Sequence, residues 1–256
     1  MTGLIFSGKT IGTAYFGAVS ARTCLLAASA LFVFVALPPA LAAHTDPNAP
    51  RGRFVELHSC ELFAGSCIVS AEANVTGNYV LRVWQFDHGA IAGIPLQGLS
   101  VALLESGDQN LAVTGNDATS AVVYLPPALT PAQRTALLTW AGQNTHAKLT
   151  GTRVIPLQIA FAGDRVAFSA GCDIAFDADA PPPCSTLASC GEMLWYQPRV
   201  AATSFVVDQL DHSRIVEPLL TLTWMDHGRR TLFAGRFGDP EPTIPAICGA
   251  PQTASL

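Results

Sequence analysis

Residues 154–170 read Val-Ile-Pro-Leu-Gln-Ile-Ala-Phe-Ala-Gly-Asp-Arg-Val-Ala-Phe-Ser-Ala. Alternate residues of an extended strand share one face. Here that face collects the apolar side chains of Ile155, Leu157, Ile159 and Phe161. Gly163-Asp164 has the composition of a two-residue hairpin turn, after which the chain returns antiparallel. The stretch therefore predicts a β-hairpin with one buried face, the building unit of an antiparallel sheet.

Short apolar runs bounded by glycine, proline or polar residues predict further strands on both sides of this hairpin. The clearest run extends from Asn78 to Phe86, and its apolar residues occupy both alternating sets, which predicts burial of both faces. The other predicted strands lie in residues 53–58, 66–72, 91–104, 121–125, 193–207, 216–224 and 230–237.

One helix is well signalled between the strands. Thr130 stands at the N-cap, Pro131 at the first helical position and Gln133 at the third, which together form a capping box. An apolar stripe follows, and Gly142 is placed to end the helix. The sequence therefore predicts a helix over about residues 131–142. The fold class we expect is α+β, a mostly antiparallel β-sheet with one main α-helix.

The composition excludes several classes of protein. The chain of 256 residues is 50% apolar and 13% charged, which excludes a mostly disordered chain. Its formal net charge of -5 disfavours a nucleic-acid partner. The sequence lacks the glycine-rich nucleotide motifs, His-Glu-x-x-His, Gly-x-Ser-x-Gly and Cys-x-x-Cys. These absences disfavour nucleotide enzymes, zincin proteases, α/β-hydrolases and thioredoxin-like proteins.

Residues 1–42 have the pattern of a secretory signal peptide. They contain Lys9 and Arg22 but no acidic residue, then an apolar run over 24–37, and they end Pro-Pro-Ala-Leu-Ala. A basic region, an apolar region and a small-residue cleavage site are typical of such signals. The apolar run is shorter than the roughly 20 residues of a membrane-spanning helix. We expect cleavage after Ala42, a periplasmic or extracellular location, and no stable membrane span afterwards.

The domain organisation is predicted from changes in composition along the chain. A polar linker covers residues 43–52, and a β-rich domain with the one helix covers residues 53–171. Residues 172–190 are rich in cysteine and proline. We expect them to form a connection between strands, because the three consecutive prolines at 181–183 cannot lie inside a sheet. Residues 191–250 form a β-rich C-terminal portion, and whether it shares the same sheet or core stays open.

Six of the seven cysteines follow the signal segment. An even number in an exported protein indicates disulfide bonds. Six cysteines allow 15 pairings, and sequence does not choose among them. Our hypothesis is that cysteines close in sequence pair, Cys60 with Cys67 and Cys184 with Cys190. The candidates are Cys60, Cys67, Cys172, Cys184, Cys190 and Cys248.

The same residues also fit a metal site. His58 and Cys60 share one face of a strand, and imidazole and thiolate are good ligands for copper or zinc. A second group combines cysteines with Met193, and soft sulfur ligands at close spacing favour Cu(I). The competing interpretation is disulfides and core packing. The candidate ligands are His58, Cys60, Cys67, Cys184, Cys190 and Met193.

Residues 53–170 resemble the bacterial family catalogued as domain of unknown function 1326. Three stretches carry the resemblance: Glu-Leu-His-Ser-Cys at 56–60 with Cys67 downstream, Ile-Pro-Leu-Gln-Gly-Leu at 94–99, and Ala-Gln-Arg-Thr-Ala-Leu-Leu at 132–138. The resemblance implies a cysteine cluster in which His58 stands in place of a cysteine, so a metal site would keep a ligand and a disulfide would be lost. It implies no known activity.

Three hypotheses about function follow. The first is an exported, soluble binding protein that holds copper or zinc through cysteine, histidine and methionine. The second is a disulfide-stabilised protein of the cell envelope that contains no metal and recognises a protein partner. The third is an enzyme whose site is assembled from dispersed Asp and His residues. The third draws on three Asp-His pairs, which we expect in exposed turns: Asp87-His88, Asp211-His212 and Asp226-His227.

Overall fold

The structure is a computed structural model, and it describes residues 46–65, 77–163, 165–179 and 193–239. These residues form fifteen β-strands, one α-helix and one short 3-10 helix. The α-helix, α1, is Pro131–Gln143, and the 3-10 helix is Pro218–Leu220. The strands are β1 Arg51–His58, β2 Phe63–Gly65, β3 Tyr79–His88, β4 Ala90–Ile91, β5 Ile94–Pro95, β6 Ser100–Ser106, β7 Ser120–Leu125, β8 Lys148–Val154, β9 Leu157–Ala162, β10 Arg165–Ala170, β11 Ile174–Asp179, β12 Met193–Trp195, β13 Ala202–Glu217, β14 Leu222–Asp226 and β15 Leu232–Phe237.

Eleven of these strands form one sheet in the order β8-β7-β6-β3-β1-β15-β13-β11-β10-β9, with β14 paired to β13. Every pair in it is antiparallel except β7 with β8, which α1 joins by a crossover. The strands at the two ends of the order, β8 and β9, are joined by only Ile155 and Pro156. Three Cα–Cα steps of about 3.8 Å keep the two edges within about 11 Å at this corner. The sheet must therefore curl back on itself.

The central strands are buried on both faces. The helix-side core is the apolar cluster that α1 covers, and the inner core is the cluster enclosed by the curl. Alternate residues of a strand enter different cores, as Trp84 and Val83 of β3 do. The prediction that both faces of this strand are covered is confirmed. The strands at the centre of the sheet therefore have little room for exposed side chains.

The hairpin and the helix that were predicted from sequence are both present. Strands β9 and β10 pair with Ala162 opposite Arg165, and Gly163 between them has a φ of 61°. Thr130 and Gln133 form both hydrogen bonds of the capping box. The helix ends one residue beyond Gly142, because the Asn144 side chain donates to the carbonyl of Trp140 at 2.9 Å and caps the last turn. The fold is α+β, mostly antiparallel β-sheet with a single α-helix among the described residues.

Two segments differ from the sequence expectation. Residues 174–179, which were assigned to the connection over 172–190, form β11, because Ile174, Phe176 and Ala178 alternate into the inner core. The aspartates between them hid this pattern. The long strand β13 runs without a break across the gap between the strands expected over 193–207 and 216–224. The strand expected at 66–72 and the rest of the connection, 180–190, lie outside the described residues.

The sheet also joins the predicted domain to the C-terminal portion. Strand β15 lies between β1 and β13, and β11 pairs with β13. The described residues of 53–171 and 191–250 therefore share one sheet and both cores. Residues 51 and 52, at the end of the predicted linker, already belong to β1.

A polar cluster lies at the closing corner of the curl, with Tyr124 and Glu217 buried and Arg153 and Asp173 partly exposed. The hydroxyl of Tyr124 in β7 donates to Glu217 Oε2 at 2.5 Å. Arg153 of β8 donates to the same oxygen at 3.3 Å and to Asp173 Oδ2 at 2.6 Å. Burial raises the pKa of Tyr124 above its usual range, and the hydrogen bond and charge of Glu217 raise it further. The neutral hydroxyl is thus a permanent donor that joins β7 to the end of β13.

We expect a Tyr124→Phe substitution to lower the free energy of unfolding by about 1.5–3 kcal/mol, because it removes one donor from a buried carboxylate. Urea unfolding followed by tryptophan fluorescence measures this change. Tyr79→Phe is the matched control, since the Tyr79 ring packs against Trp224 with centroids 6.4 Å apart. We expect that control to change stability by less than about 0.5 kcal/mol. Equal losses in the two variants would contradict the role given to the Tyr124 hydroxyl.

Candidate functional site

Four charged or titratable side chains are buried on the helix-side face of the central strands. Glu56 and His58 alternate with apolar residues along β1, and both are 0% exposed. Arg82 of β3 lies directly opposite Glu56 in the strand register, and Glu105 of β6 lies opposite Val80. Ionisable groups in a core are costly unless they are paired and hydrogen-bonded. Their presence together marks this layer as the polar centre of the molecule.

Glu56 accepts hydrogen bonds from three donors. His58 Nε2 lies 2.6 Å from Oε1, and the backbone amides of Arg199 and Val200 donate to Oε1 and Oε2 at 2.8 and 2.9 Å. The two amides belong to the loop that precedes β13, 143 and 144 residues further along the chain. A single carboxylate therefore holds this loop against the central strand.

The environment of Glu56 favours its ionised form. Burial alone raises the pKa of this carboxyl group. The hydrogen bond and charge of His58, the charge of Arg82 and the amide of Arg199 together outweigh burial, so the pKa lies below its ordinary value. Glu56 is thus a buried anion at neutral pH.

Arg82 joins the sheet to the end of the helix. One of its Nη atoms donates to the carbonyl of Asn144 at 2.5 Å and lies 2.7 Å from Glu105 Oε2. The hydroxyl of Thr145 donates to the other oxygen of Glu105 at 2.6 Å. The guanidinium carbon of Arg82 also lies 5.2 Å from the centre of the Trp84 ring. The charge of Arg82 is therefore matched by Glu105 and held in one position.

Arg199 joins two loops above the same face. Its Nη1 atom donates to the carbonyls of Leu111 and Asn116, both at 2.9 Å. Within the loop over residues 107–118, the side chain of Asn116 donates to the carbonyl of Asn110 at 2.9 Å. Asn110 Oδ1 accepts from the amide of Ala112 at 2.9 Å and lies 3.5 Å from Cys60 Sγ. The loop over residues 107–118 is therefore attached to the sheet by hydrogen bonds rather than by apolar packing alone.

A cavity of about 380 Å³ opens between these loops and the end of α1. We call it the polar cleft. Arg82 forms part of its floor and Arg199 part of its wall, while Asp117 and His146 are exposed at its rim. Its lining comprises Arg82, 111–117, 143–146, 197–199 and Ala201.

The structure brings some of the predicted metal ligands together. His58 contacts the Phe233 ring edge-on at 5.8 Å, and Cys60 lies in the same helix-side core. The backbone of Met193 pairs with Gly65 through strands β12 and β2. The other predicted ligands, Cys67, Cys184 and Cys190, lie outside the described residues. Among the described residues alone, no group of three or more His, Cys, Asp or Glu side chains could hold a metal ion.

The disulfide candidates are only partly described. Cys60 is buried, whereas Cys172 is exposed in the turn between β10 and β11, and the two do not bond to each other. Cys67, Cys184, Cys190 and Cys248 lie outside the described ranges. The disulfide hypothesis therefore stays a prediction.

The Asp-His pairs occupy different settings. Asp211-His212 was expected in a turn but lies within β13, at an irregularity of its pairing with β11. His212 Nδ1 lies 2.7 Å from Asp177 Oδ1, and its side chain is 68% exposed. Asp87-His88 ends β3, and His227 lies in the turn after β14. None of these three pairs lines the polar cleft.

Sequence reasoning missed Glu56, Arg82, Glu105 and Arg199 as members of a site. A signal existed for Arg82, a charged residue within an apolar strand whose two faces were both expected to be buried. Arg199 carried no such signal. It lies in a loop, and its side chain contacts Leu111 and Asn116, which are more than 80 positions earlier in the sequence.

Comparison of the chain with protein-family models, with curated proteins and with solved structures finds no match. The resemblance to the family of domain of unknown function 1326 therefore stays a prediction. No helix in the described ranges has both the length and the apolar character needed to cross a membrane.

We expect Glu56→Gln to lower the free energy of unfolding at pH 7 by about 3–5 kcal/mol, because it removes a buried charge whose partners stay in place. The folded-state pKa of Glu56 lies below its ordinary value of 4.5, so the stability it contributes is complete above that pH. The contribution is lost as the pH falls through the folded-state pKa. Urea unfolding at pH 7 and at progressively lower pH should show the difference between wild type and variant shrinking.

Glu61→Gln is the matched control, since Glu61 is 27% exposed and lies 3.5 Å from Arg229. We expect it to change stability by less than about 1 kcal/mol, as partly exposed ion pairs do. A Glu56 effect no larger than that of Glu61, or one that grows on acidification, would contradict the ionised state of Glu56.

Proposed function

We propose that this protein is an exported binding protein that holds a transition-metal ion, copper or zinc, with His58 as one ligand. The observation that carries the proposal is the state of the His58 ring. Its Nε2 atom is bonded to the Glu56 carboxylate at 2.6 Å, and its buried Nδ1 atom has no hydrogen-bond partner within the described residues. Histidines that bind metals usually give their other ring nitrogen to a carboxylate, which orients the ring.

The neighbourhood of His58 supplies further ligands of the right chemistry. Cys60 follows on the same side of the chain and is buried. Strand β12 brings the backbone of Met193 opposite Gly65. Completion of the site requires ligands from Cys67, Cys184 or Cys190. Imidazole with thiolate suits zinc, and the addition of thioether suits Cu(I). The chemistry would be exchange of the metal between ligands, without bond-breaking catalysis.

The burial of the Glu56–His58 pair argues against its use as an enzymatic acid-base pair. A general base must come within hydrogen-bond reach of the substrate proton. Both side chains are 0% exposed, beneath the loop that Arg199 and Val200 anchor. A small metal ion can reach such a buried pair during folding, whereas an organic substrate needs access to it in the folded protein. We also propose that the segment over residues 1–42 directs export of the protein.

The test is native mass spectrometry of the protein purified from the exporting compartment without chelator. The mass reports cleavage after Ala42, the number of disulfides and bound metal together. We expect one copper or zinc ion per chain and at least some reduced cysteines. A metal-free mass lower by six hydrogens would mean three disulfides, would contradict the proposal and would favour the disulfide-stabilised envelope protein.

Two substitutions place the site. We expect Glu56→Gln to weaken metal binding about 10–100-fold, because it removes the carboxylate that orients the His58 ring. His58→Asn should weaken it at least as much, and circular dichroism verifies that each variant is folded. His212→Asn, at an exposed histidine that also contacts a carboxylate, is the matched control. Affinity unchanged in a folded His58 variant would place the metal elsewhere and contradict the role of His58.

A further inference from the structure

The polar cleft is a second site, distinct from the proposed metal site. We infer that it binds a small organic carboxylate, with Arg199 as the main recognition residue and Arg82 beneath it. Two arginines line the cleft, and guanidinium groups match carboxylates in charge and geometry. Binding of the carboxylate does not depend on metal binding at His58.

The two arginines of the cleft differ in how their charge is balanced. Arg82 lies 2.7 Å from Glu105, a fully buried carboxylate, so that pair is close to neutral. The side chain of Arg199 donates to two backbone carbonyls and forms no ion pair with a described acidic side chain. Among the described residues, Arg199 contacts a carboxylate through its backbone amide, which donates to Glu56. Within the described ranges, the guanidinium of Arg199 therefore bonds to carbonyls and not to a carboxylate, and the acidic side chain in the cleft lining is that of the exposed Asp117.

The guanidinium groups of these arginines suit an anionic ligand with paired oxygens. The buried Nε atoms of both Arg82 and Arg199 have no hydrogen-bond partner within the described residues. Arg82 is itself only 2% exposed and lines the cleft. A guanidinium group has five N–H donors and matches a carboxylate with two parallel hydrogen bonds. Arg199 is already held by two carbonyls, so little side-chain freedom is lost when a ligand binds.

The size and lining of the cleft limit the ligand. Its volume of about 380 Å³ lies at the small end of ligand-binding sites, which span roughly 300–1,000 Å³. Amide and hydroxyl side chains from Asn116, Gln143 and Thr145 line it beside the arginines. The Gln143 amide and the second N–H of the Asn116 amide can donate to hydroxyl or carbonyl oxygens of a ligand, whereas the Thr145 hydroxyl already donates to Glu105. A compact, polar di- or tricarboxylate fits this combination better than an apolar molecule or a cation.

The negative charge of Asp117 lowers the affinity of the cleft for an anion. This residue is exposed at the rim and carries its charge close to where the ligand anion would lie. Removing that charge without changing the shape of the side chain should strengthen binding of an anion. Since Asp117 is exposed, Asp117→Asn gives a test that does not depend on the stability of a core variant.

The experiment is a titration of the 15N-labelled protein with succinate and with citrate at constant ionic strength, followed by backbone amide shifts. We expect saturable shifts confined to residues 111–117, 143–146 and 197–201, with a dissociation constant below about 1 mM, equivalent to at least about 4 kcal/mol of binding free energy. Sodium chloride and inorganic phosphate are the comparison salts. The absence of saturable shifts, or equal shifts with chloride, would overturn the proposal. Tighter binding of phosphate than of either carboxylate would overturn the choice of ligand class.

Variants locate the site. Asp117→Asn should tighten carboxylate binding about threefold, the effect of one unit charge at several ångströms in a largely aqueous setting. Asp211→Asn, the same change on β13 and away from the cleft lining, should leave affinity unchanged because salt screens distant charges. Arg199→Gln should weaken binding at least tenfold. An unchanged or weaker affinity in Asp117→Asn would contradict the placement.

The same titration separates this proposal from metal binding. With EDTA present, or in the His58→Asn variant, carboxylate affinity should stay within about twofold of wild type. A carboxylate that binds only when metal is loaded would be a ligand of the metal and would overturn an independent cleft. Failure of metal binding with carboxylate binding intact would overturn the proposed function and leave the cleft standing.

Discussion

The structure depends on the buried carboxylate of Glu56 in the middle of β1. Moving a carboxylate out of water costs several kcal/mol even after the protein relaxes. Three hydrogen bonds, from His58 and from the amides of Arg199 and Val200, offset that cost, and the charge of Arg82 lies opposite in the register. The same contacts fix the His58 ring and the loop that carries Arg199. Both proposed sites are therefore built on one anion.

The curl of the sheet makes this arrangement possible. Since β8 and β9 end the strand order but follow each other in sequence, the sheet encloses an inner core and leaves its central strands covered on the other face by α1 and the loops. The inner core is an apolar cluster with the Tyr124–Glu217 contact at its closing corner, and Asp208 and Ser213 of β13 are also buried. The polar residues are concentrated on the helix side. Stability and binding are thus divided between the two faces of one sheet.

Sequence patterns predicted the local elements of this fold well. The alternation in residues 155–161 and the capping box at Thr130 are signals within a few residues, and both elements form as expected. The strand β11 was missed because its aspartates interrupt the apolar residues. In the structure Ile174, Phe176 and Ala178 enter the inner core. Asp177 lies on the other face of the strand, where it pairs with Arg165. The curl was also beyond sequence reasoning, because it follows from which strands pair. A period-two pattern indicates a strand but not its neighbours.

The candidate sites were less predictable than the fold. His58 and Cys60 were found because their residue types bind metals, but the role of Glu56 in orienting His58 depends on a side-chain contact that spacing alone does not specify. Arg199 reaches the site from a position 143 residues beyond Glu56 in the sequence. The most direct test of the account is the pH titration of the Glu56 side-chain carboxyl carbon by 13C NMR. The account predicts a carboxylate that stays ionised below its ordinary pKa of 4.5 for as long as the protein is folded. A Glu56 that takes up a proton at or above that pH would contradict it.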